Sequence, residues 1–346
     1  MAEEGFLKNQ WYAAAGSAEI GSAPLGRTIC GEPLALFRAS GGTVAALEDR
    51  CPHRKYQLSR GTVVNGALQC GYHGIRLDAT GACVAVPSQA TIPRGLKARS
   101  YPVVERHALV FVWLGDPKRA DPALIPDFHE NDAAGFTAVH GYLYVKADYR
   151  LLIDNLLDLT HVAIVHKTTL GGPGILENPL EVQVEGDAVR TLRTMRGVDP
   201  APIHRTIRHF PGKIDRRQET EFRPPVYVHI NLGAVPHGSN EPIEEPHHVV
   251  INSLTPETDR TTHYFWSVAR TRALDDESVS QRLRDIHMVA FNEDVVVIEA
   301  QQRMIDSDPA GGVLANLDGD EACAAARRIL ARKLAEERNR GRYALS

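Results

Sequence analysis

Two cysteines and two histidines in the amino-terminal part of the chain form two short pairs whose residue types suit metal binding. The stretch CPHRKYQLSRGTVVNGALQCGYHG places Cys51 and His53 in the first pair and Cys70 and His73 in the second. Sixteen residues separate the pairs, which is long enough for a strand, a turn and a second strand. Each pair is therefore predicted at the tip of its own loop.

Mixed sulfur and nitrogen ligands leave two kinds of metal group open for this set. One is a structural zinc ion, and the other is a 2Fe-2S cluster in which two histidines replace two cysteines on one iron. Zinc fingers usually keep like ligands together, whereas each loop here supplies one cysteine and one histidine. The pattern favours the cluster, with Cys51 and Cys70 on one iron and His53 and His73 on the other.

A second group of polar residues lies in the segment NLLDLTHVAIVH, which contains Asn155, Asp158, His161 and His166. On a helix, Asp158 and His161 would share one face, so the carboxylate could accept a hydrogen bond from the imidazole and orient it. Five residues turn an ideal helix by about 500°. The rings of His161 and His166 therefore converge only if the helix ends or bulges between them. An amphipathic helix with two incidental histidines is the alternative.

A third ligand could come from the long helix predicted over residues 276–304. Its segment FNEDVVVIEAQQ offers Glu293 and Asp294, and each has apolar neighbours on a helical wheel, so periodicity does not choose between them. A buried carboxylate needs a partner, and a metal ion would be one. Two histidines and one carboxylate that leave open positions are the facial arrangement of non-haem iron(II) oxygenases.

Composition limits the classes of protein to consider. The chain has 346 residues, of which 43% are hydrophobic, so it can bury a large core and is predicted to form two domains. A net charge of −4 gives no basic field for phosphate backbones, so nucleic acid is not an expected partner. No apolar run approaches the roughly 18 residues of a membrane span, and we predict a cytoplasmic protein. Five thinly spread cysteines argue against a disulfide framework.

The order of the sequence patterns predicts an α+β protein. Residues 26–115 contain short β-like runs punctuated by glycine, which favours a small all-β domain. Residues 116–128 are rich in Asp and Pro and are interpreted as a linker, so we place the domains at 1–125 and 126–346. In the second domain the patterns predict strands over 141–149, 226–235, 247–254 and 262–270, and helices over 151–166, 276–304 and 320–339.

Together these segments resemble the oxygenase component of the Rieske non-haem iron oxygenases. The similarity extends over nearly the whole chain, through NQWYAAA, CPHR, CGYHG, DYRLLIDNLLDLTH, TPETD, HYFW and FNEDVVVIEAQQ. It is strongest to the vanillate and dicamba O-demethylases and to the toluenesulfonate methyl-monooxygenase. One departure is RKYQLS after His53, where relatives usually carry small residues and proline.

The resemblance implies a fold and a set of site residues. It implies an amino-terminal all-β Rieske domain and a catalytic domain in which a central antiparallel sheet is flanked by helices. The Rieske cluster would be held by Cys51, His53, Cys70 and His73. The mononuclear Fe(II) would be held by His161, His166 and Asp294, which selects Asp294 over Glu293. Asp158 matches the acid that links one subunit's cluster to the next subunit's iron, and we group Asn155 with it as a catalytic residue.

The resemblance also implies a reaction and partners. O2 would be the co-substrate, and a separate NAD(P)H-dependent reductase with a flavin and a ferredoxin-type cluster would supply electrons to a homotrimer. The expected reaction hydroxylates the methyl or methoxy group of an aromatic acid, with O-demethylation favoured. The alternatives are a ring-hydroxylating oxygenase on an aromatic carboxylate and a non-enzymatic Rieske electron carrier or zinc-binding sensor.

Substrate contacts are expected from the strands over the iron. Two-residue alternation places His248 and Asn252 on one face of HHVVINSL, and His229 and Asn231 on VYVHINL are similar candidates. Four arginines could pair with a substrate carboxylate, but an ordinary solvated basic segment is the favoured interpretation for Arg205, Arg208, Arg216 and Arg217.

Overall fold

The chain forms two compact units in this computed structural model, which describes residues 5–243, 245, 247–308, 311 and 315–343. The first unit comprises residues 8–126 and 255–258. The second comprises residues 127–254 and 259–346, together with the residues that precede the first unit. The predicted domain boundary between residues 125 and 126 lies one residue from the division at 126/127.

The first unit contains three small sheets and is the all-β domain that the sequence predicts. Their orders are β1-β11-β10, β2-β3-β4-β9 and β5-β6-β7-β8, and the recorded pairs are antiparallel. The strands are β1 (Trp11–Gly16), β2 (Leu25–Ile29), β3 (Glu32–Arg38), β4 (Val44–Glu48), β5 (Thr62–Val64), β6 (Ala67–Gln69), β7 (Arg76–Leu77), β8 (Cys83–Ala85), β9 (Ser100–Tyr101), β10 (Val103–Arg106) and β11 (Leu109–Trp113).

A shared core joins the two four-stranded sheets and fixes the cysteine loops. Phe37, Leu47 and Leu77 are fully buried in one cluster, and the side chains of Cys51 and Cys70 belong to it. Asn65 and Gly66 connect β5 to β6 with positive φ angles of 51° and 74°. A two-residue hairpin turn needs positive φ at both of its central positions. Cys70 follows β6 directly, so this hairpin positions the second loop.

The second unit is built on one seven-stranded sheet with the order β12-β18-β17-β16-β15-β14-β13. Its strands are β12 (Thr137–Val145), β13 (Glu181–Glu185), β14 (Ala188–Val198), β15 (Ile214–Arg223), β16 (Tyr227–Pro236), β17 (His248–Pro256) and β18 (Thr262–Arg270). The helices are α1 (Tyr149–Leu157), α2 (Pro202–Ile207), α3 (Glu277–Ser307) and α4 (Glu321–Tyr343). The predicted α+β class, with an amino-terminal β domain and a large antiparallel sheet with helices, is confirmed.

Helix α1 is shorter than the predicted helix over 151–166. Asp158 ends it, because this residue has left the helical conformation, with φ −92° and ψ 82°. The Asp158 carboxylate accepts a hydrogen bond from the backbone N–H of Thr160 at 2.9 Å. Such local side-chain bonds compete with helix continuation. Residues 161–166 therefore lie in a short 3-10 turn and a loop, and residues 146–149 of the predicted strand lead into α1 instead.

Helix α3 packs along the sheet and carries a buried carboxylate. Asp276 caps its first turn by accepting hydrogen bonds from the backbone N–H groups of Ser278 and Val279. The ring of Phe291 packs 5.2 Å from that of Trp266 on β18, which turns this side of the helix toward the sheet. Asp294 lies on the same side and is 5% exposed. No helix in the described part of the chain is both long and apolar enough to cross a membrane.

Candidate metal centres

The two cysteine loops of the first unit have the same backbone hydrogen bonds despite their different sequences. In each, the N–H of the cysteine, Cys51 or Cys70, donates to the carbonyl five residues later at 2.8 Å. The carbonyl of each cysteine accepts from the N–H four residues later, at 2.8 Å after Cys51 and 3.0 Å after Cys70. The loops are therefore structural copies, each presenting one thiol and one imidazole.

A left-handed residue closes each loop. In the second loop it is Gly74, with φ 72°, and in the first it is Lys55, with φ 58°. Lys55 belongs to RKYQLS, the segment that departs from the family pattern. Because a non-glycine residue is strained in this region, the loop geometry must be imposed by its hydrogen bonds and by the buried cysteine.

The sulfur atoms point into the core and the imidazoles point outward. Cys51 and Cys70 are 2% and 1% exposed, whereas His53 and His73 are exposed, with ring centroids 4.6 Å apart. Burial raises the pKa of the Cys51 thiol, opposed by the backbone N–H of His53, and the adjacent Cys70 thiol raises it further. Two inner thiols and two outer imidazoles could hold a 2Fe-2S cluster with one buried and one exposed iron.

A second site lies in the second unit, where His161, His166 and Asp294 converge. The Nε2 atoms of the two histidines are 3.3 Å apart, and oxygens of Asp294 lie 3.1 Å from His166 Nε2 and 3.4 Å from His161 Nε2. Three atoms that each lie about 2.1 Å from one ion at right angles are about 3.0 Å apart. The arrangement therefore fits one metal ion bound on three adjacent positions, with others left open.

Hydrogen bonds to the far side of each ring direct the lone pairs inward. His161 Nδ1 donates to the backbone carbonyl of Asp158 at 2.5 Å, and His166 Nδ1 donates to the Glu293 carboxylate at 2.8 Å. With protons on both Nδ1 atoms, both Nε2 atoms carry free lone pairs that face each other and a carboxylate. A cation between them relieves this repulsion, so the donor set suits a metal.

Two neighbouring residues orient the proposed ligands but do not belong to the ligand set. Asn155 on α1 donates from its amide to Asp294 Oδ1 at 3.0 Å. Glu293 accepts from His166 and from the Thr169 hydroxyl, at 2.8 and 3.1 Å. Glu293 and Asp294 therefore have different positions on α3, a distinction that sequence periodicity could not make.

The electrostatics of the triad are those of a carboxylate held between imidazoles. Burial alone would raise the pKa of Asp294, but without a metal ion hydrogen bonds from the protonated imidazoles of His161 and His166 outweigh it and lower that pKa to about 2. Burial would likewise lower the pKa of His166, and Asp294 and Glu293 raise it instead. Asp294 is ionised at neutral pH, as a metal ligand must be.

Family models match both parts of the chain. Residues 10–102 match the Rieske 2Fe-2S domain, and residues 145–336 match the vanillate O-demethylase oxygenase C-terminal domain. The chain belongs to the Rieske non-haem iron oxygenases. The cofactors of this family of oxidoreductases are the Rieske 2Fe-2S cluster and a mononuclear non-haem iron.

The oxygenase is similar to named proteins over almost all of its length. It is 39% identical to a putative toluene-4-sulfonate monooxygenase iron-sulfur subunit from Comamonas testosteroni, covering 88% of this chain and 90% of that one. Identity to a vanillate O-demethylase oxygenase subunit from a Pseudomonas strain is 37%, over 98% of each chain. The crystal structure of dicamba monooxygenase bound to 3,6-dichlorosalicylic acid superimposes with a TM-score of 0.92 at 37% identity, covering 96% of this chain and 99% of that one.

Asp158 of the oxygenase does not hold His161 in the predicted way. The prediction has the carboxylate accepting from the imidazole across one helix face, but α1 ends before Asp158 and the backbone carbonyl accepts instead. Within the described residues, the carboxylate accepts a hydrogen bond only from the Thr160 N–H. One carboxylate oxygen is therefore available to a further donor.

The strand register divides the predicted substrate contacts of the oxygenase between two faces of the sheet. Val228 lies opposite Asn252 and Leu232 opposite His248, so these residues share one face of the sheet. We call it the inner face, since His248 packs there against His287 of α3 with ring centroids 5.0 Å apart. By the two-residue alternation, His229 and Asn231 project from the other face. The four candidates therefore do not line one pocket.

The partners of these side chains agree with the register. His229 pairs with Glu130 at 3.1 Å on the outer side. On the inner face, Asn252 donates to the Val228 carbonyl at 3.0 Å and accepts from the Tyr264 hydroxyl at 2.7 Å. The Nε2 atom of His248 is buried and has no partner among the described residues.

The basic segment contains one residue that the sequence interpretation missed. Arg216 is 3% exposed, so the prediction of a solvated arginine is wrong at this position. The available signal is alternation on β15, where Arg216, Gln218 and Thr220 project from the inner face and Arg217 from the outer. In sequence alone, these alternating polar residues look the same as the solvent-exposed residues of an ordinary strand, so their burial was not predicted.

Proposed function

We propose that this protein is the terminal oxygenase component of a Rieske monooxygenase that hydroxylates the methyl or methoxy group of an aromatic acid. The observation that carries the proposal is the convergence of His161, His166 and Asp294, whose nearest ligand atoms are 3.1 to 3.4 Å apart. Their three-sided arrangement leaves room for O2 and substrate on the same ion.

We assign the metal ligands residue by residue. Cys51 and Cys70 would bind the inner iron of the cluster and His53 and His73 the outer, in agreement with their burial. The mononuclear iron would be bound by His161, His166 and Asp294. In the described part of the chain, these form the one group of three or more His, Cys, Asp or Glu residues whose ligand atoms lie within 4.8 Å of one another.

The reaction consumes two electrons and two protons for each O2. When bound, the cluster supplies single electrons and the mononuclear iron activates O2. One oxygen atom enters the methyl group and the other leaves as water. A methoxyarene hydroxylated in this way becomes a hemiacetal, which breaks its C–O bond to give a phenol and formaldehyde, whereas a methylarene gives the alcohol.

The chain's own residues hold the ligands in position for this chemistry. Asn155 fixes the Asp294 carboxylate, and Glu293 keeps the Nδ1 proton on His166 so that Nε2 faces the ion. The inner-face side chains Asn252 and His248 are the substrate contacts that we retain from the sequence prediction. Asn252 is already oriented by Tyr264, which gives it a fixed position.

The relatives support the reaction class. Proteins named for vanillate O-demethylase, dicamba O-demethylase and toluene-4-sulfonate monooxygenase match this chain at 37 to 39% identity. Each of those names refers to an aromatic acid or its methyl or methoxy group. As an oxygenase component, the protein works with a separate reductase, and we propose that this is an NAD(P)H-dependent enzyme with a flavin and a ferredoxin-type cluster.

We further propose a cytoplasmic homotrimer in which the cluster of one chain serves the iron of the next. His73 is exposed, and the ring of Tyr72, itself 57% exposed, is tilted against it with centroids 3.9 Å apart. The second carboxylate oxygen of Asp158 could accept a hydrogen bond from His73 of the neighbouring chain. The connection would run from that imidazole through Asp158 to its carbonyl, which holds His161.

Turnover with a surrogate reductase tests the function. A panel of methoxy- and methyl-benzoates and toluenesulfonates would be incubated with NADH, the reductase and the iron-loaded protein, with formaldehyde and organic products measured. We expect phenol and formaldehyde in equal amounts from at least one methoxy acid, and none from the His161→Ala variant. Ring diols instead of these products would favour ring hydroxylation. No product from any member, with a related oxygenase active beside it, would contradict the proposal.

A further inference from the structure

The inner face of the sheet carries buried polar atoms that have no partner in the described part of the chain. Six of them lie on β14, β15 and β17: Thr191 Oγ1, Arg193 Nη1, Arg216 Nε, Gln218 Oε1, Thr220 Oγ1 and His248 Nε2. The strand register places all six side chains on one face. Because buried polar groups are nearly always hydrogen-bonded, such a cluster indicates a place where a polar ligand binds.

Arg216 is the buried charge at the centre of this cluster. Within the described residues it forms no ion pair, and its Nη2 atom donates to the Leu170 carbonyl at 3.4 Å. Its neighbour Arg193 has the same sign of charge and lies opposite Gln218 in the sheet. Asp158 acts on Arg193, but no carboxylate pairs with Arg216 in the described part of the chain. A cation buried beside another cation is costly unless an anion joins it.

A cavity lies near Arg216, and its lining contains the strand neighbours of Arg216 but not Arg216 itself. It contains about 330 Å³ of empty space, partly open to solvent, and its lining includes Leu232, Ala234 and His248. Ala234 is the direct cross-strand neighbour of Arg216 on the inner face, so its Cβ and that of Arg216 are about 5 Å apart.

The two arginines of the cavity wall already have a counter-ion. Arg208 makes two hydrogen bonds to Glu241, at 2.6 and 2.8 Å, and Arg272 lies 3.5 Å from the same carboxylate. Two arginines on the wall therefore share one acid, and Arg208 has its guanidinium engaged. Arg216 is more buried than these two arginines, and its Nε atom has no partner in the described part of the chain.

The surroundings of Arg216 also contact the loop that carries the proposed iron ligands. Leu170, whose carbonyl accepts from Arg216, precedes Gly171, whose N–H donates to the carbonyl of His166 at 2.8 Å. On the other side, the His248 ring packs on His287. Arg216 is therefore hydrogen-bonded to the loop that carries His166.

We propose that Arg216 binds the acid group of the substrate, a carboxylate or a sulfonate, on the inner face of the sheet. This inference rests on the proposed function, because it assigns the part of the substrate that is not oxidised. The planar guanidinium suits both oxyanions, which accept paired N–H donors. Burial lowers the pKa of Arg216 to about 10, with Arg193 contributing, so the group is still a cation at neutral pH.

Equilibrium binding to the iron-loaded protein tests the assignment without turnover. Calorimetry would compare 4-methoxybenzoate and toluene-4-sulfonate with their neutral amides, 4-methoxybenzamide and toluene-4-sulfonamide. The wild type should bind the acids more tightly. Arg216→Gln should weaken acid binding by at least about 30-fold, about 2 kcal/mol at 1.4 kcal/mol per tenfold, and change amide binding by less than about 3-fold.

Arg217→Gln is the matched control. Arg217 is the next residue on β15, but it projects from the outer face and pairs with Glu219 at 2.6 Å. Its replacement should leave both affinities unchanged. Arg216→Lys should retain part of the acid preference, because it keeps the charge and loses the paired donors. This variant also serves if Arg216→Gln fails to fold.

A thermal unfolding scan without ligand separates binding from a structural role. Because Arg216 lacks a counter-ion, Arg216→Gln should not lower the melting temperature, and the acids should raise it for the wild type but not for the variant. Undiminished acid binding by Arg216→Gln, or equal loss of acid and amide binding, would overturn the assignment.

Turnover measured in parallel distinguishes this inference from the proposed function. If the wild type demethylates methoxyarenes but gains nothing from an acid group, the role of Arg216 is wrong and the function stands. If acids bind through Arg216 but no aromatic methyl or methoxy group is oxidised, the function is wrong and the binding site stands.

Discussion

Asp294 and Glu293 are adjacent carboxylates with different neighbours, and the difference explains which one can bind iron. Asp294 is 5% exposed and faces the Nε2 atoms of both histidines, whereas Glu293 faces the Nδ1 side of His166. A ligand must face the lone pairs, and an orienting group must face the protons. Asp294 is therefore placed to bind the ion, and Glu293, one residue earlier on α3, is placed to orient His166.

The first prediction concerns separate substitutions of Asp294 and Glu293. Asp294→Ala should remove the mononuclear iron and all turnover, because two histidines alone hold the ion weakly. Glu293→Gln should keep the ion and weaken its binding or the activity by about 10- to 100-fold. Iron analysis and turnover are the measurements, with the visible spectrum of the cluster as a control that neither variant should alter. Retained iron and turnover in Asp294→Ala, with loss of both in Glu293→Gln, would reverse the assignment.

At the scale of elements, the end of α1 makes the site possible. His161 and His166 would point about 140° apart on an ideal helix, but α1 ends at Leu157 and the following turn brings their Nε2 atoms to 3.3 Å. Gly171 closes this loop by packing against the chain, since a Cβ there would lie 2.7 Å from the Val162 carbonyl and 2.8 Å from that of His166. The loop can therefore reach its conformation only with glycine at this position.

The second prediction concerns the addition of a methyl group at Gly171. Gly171→Ala should force the His166 backbone outward, lower the melting temperature by an amount equivalent to about 1–3 kcal/mol and reduce the mononuclear iron content. Gly212→Ala is the control, because a Cβ at Gly212 meets nothing within 4 Å and it should change neither quantity. Iron content and thermal unfolding are measured on both variants. Equal behaviour of the two would show that the close approach at Gly171 does not shape the site.

The sequence predicts the elements better than their boundaries. Period-two and helical patterns locate the strands and α3, and paired spacing singles out the four proposed cluster ligands, because these signals are local. The end of α1 depends on one side-chain bond of Asp158 to the Thr160 N–H, which no periodicity reveals.

Faces of strands were harder to predict than strands. Alternation groups His229 with Asn231 and His248 with Asn252, but only the register of β16 against β17 shows that the groups face opposite ways. Arg216 was missed for the same reason. Its charge suggests solvent, and only the assembled sheet shows that its side of β15 is covered.

On the scale of the whole molecule, the proposed trimer makes the active site a property of two chains. Asp158→Asn, the third prediction, should leave both metals bound and slow the reduction of the mononuclear site severely. The amide has one acceptor oxygen, whereas the carboxylate has one for the Thr160 N–H and a second for the proposed bond from His73 of the neighbouring chain. Single-turnover kinetics would measure the rate, and metal analysis would verify the occupancy. An unchanged rate would contradict the proposed role of Asp158.

Mixed trimers give the fourth prediction. Cys70→Ser chains should lack the cluster and His161→Ala chains the mononuclear iron, so each alone should be inactive. Co-expressed, they can place an intact cluster beside an intact iron across an interface, and activity should return. If verified mixed trimers stay inactive although both parents fold and the wild type assembles under the same conditions, electrons pass within one chain and the proposed transfer between chains is wrong.

The metal content of the purified wild type tests the central claim, that one chain carries a Rieske cluster and a separate mononuclear iron. The account predicts about three irons and about two acid-labile sulfides per chain, with a reduced-state EPR signal whose average g value lies below 2. The His161→Ala variant should contain about two irons and give the same signal. Zinc in place of iron in protein made with iron available, or an identical iron content in the wild type and the variant, would contradict it.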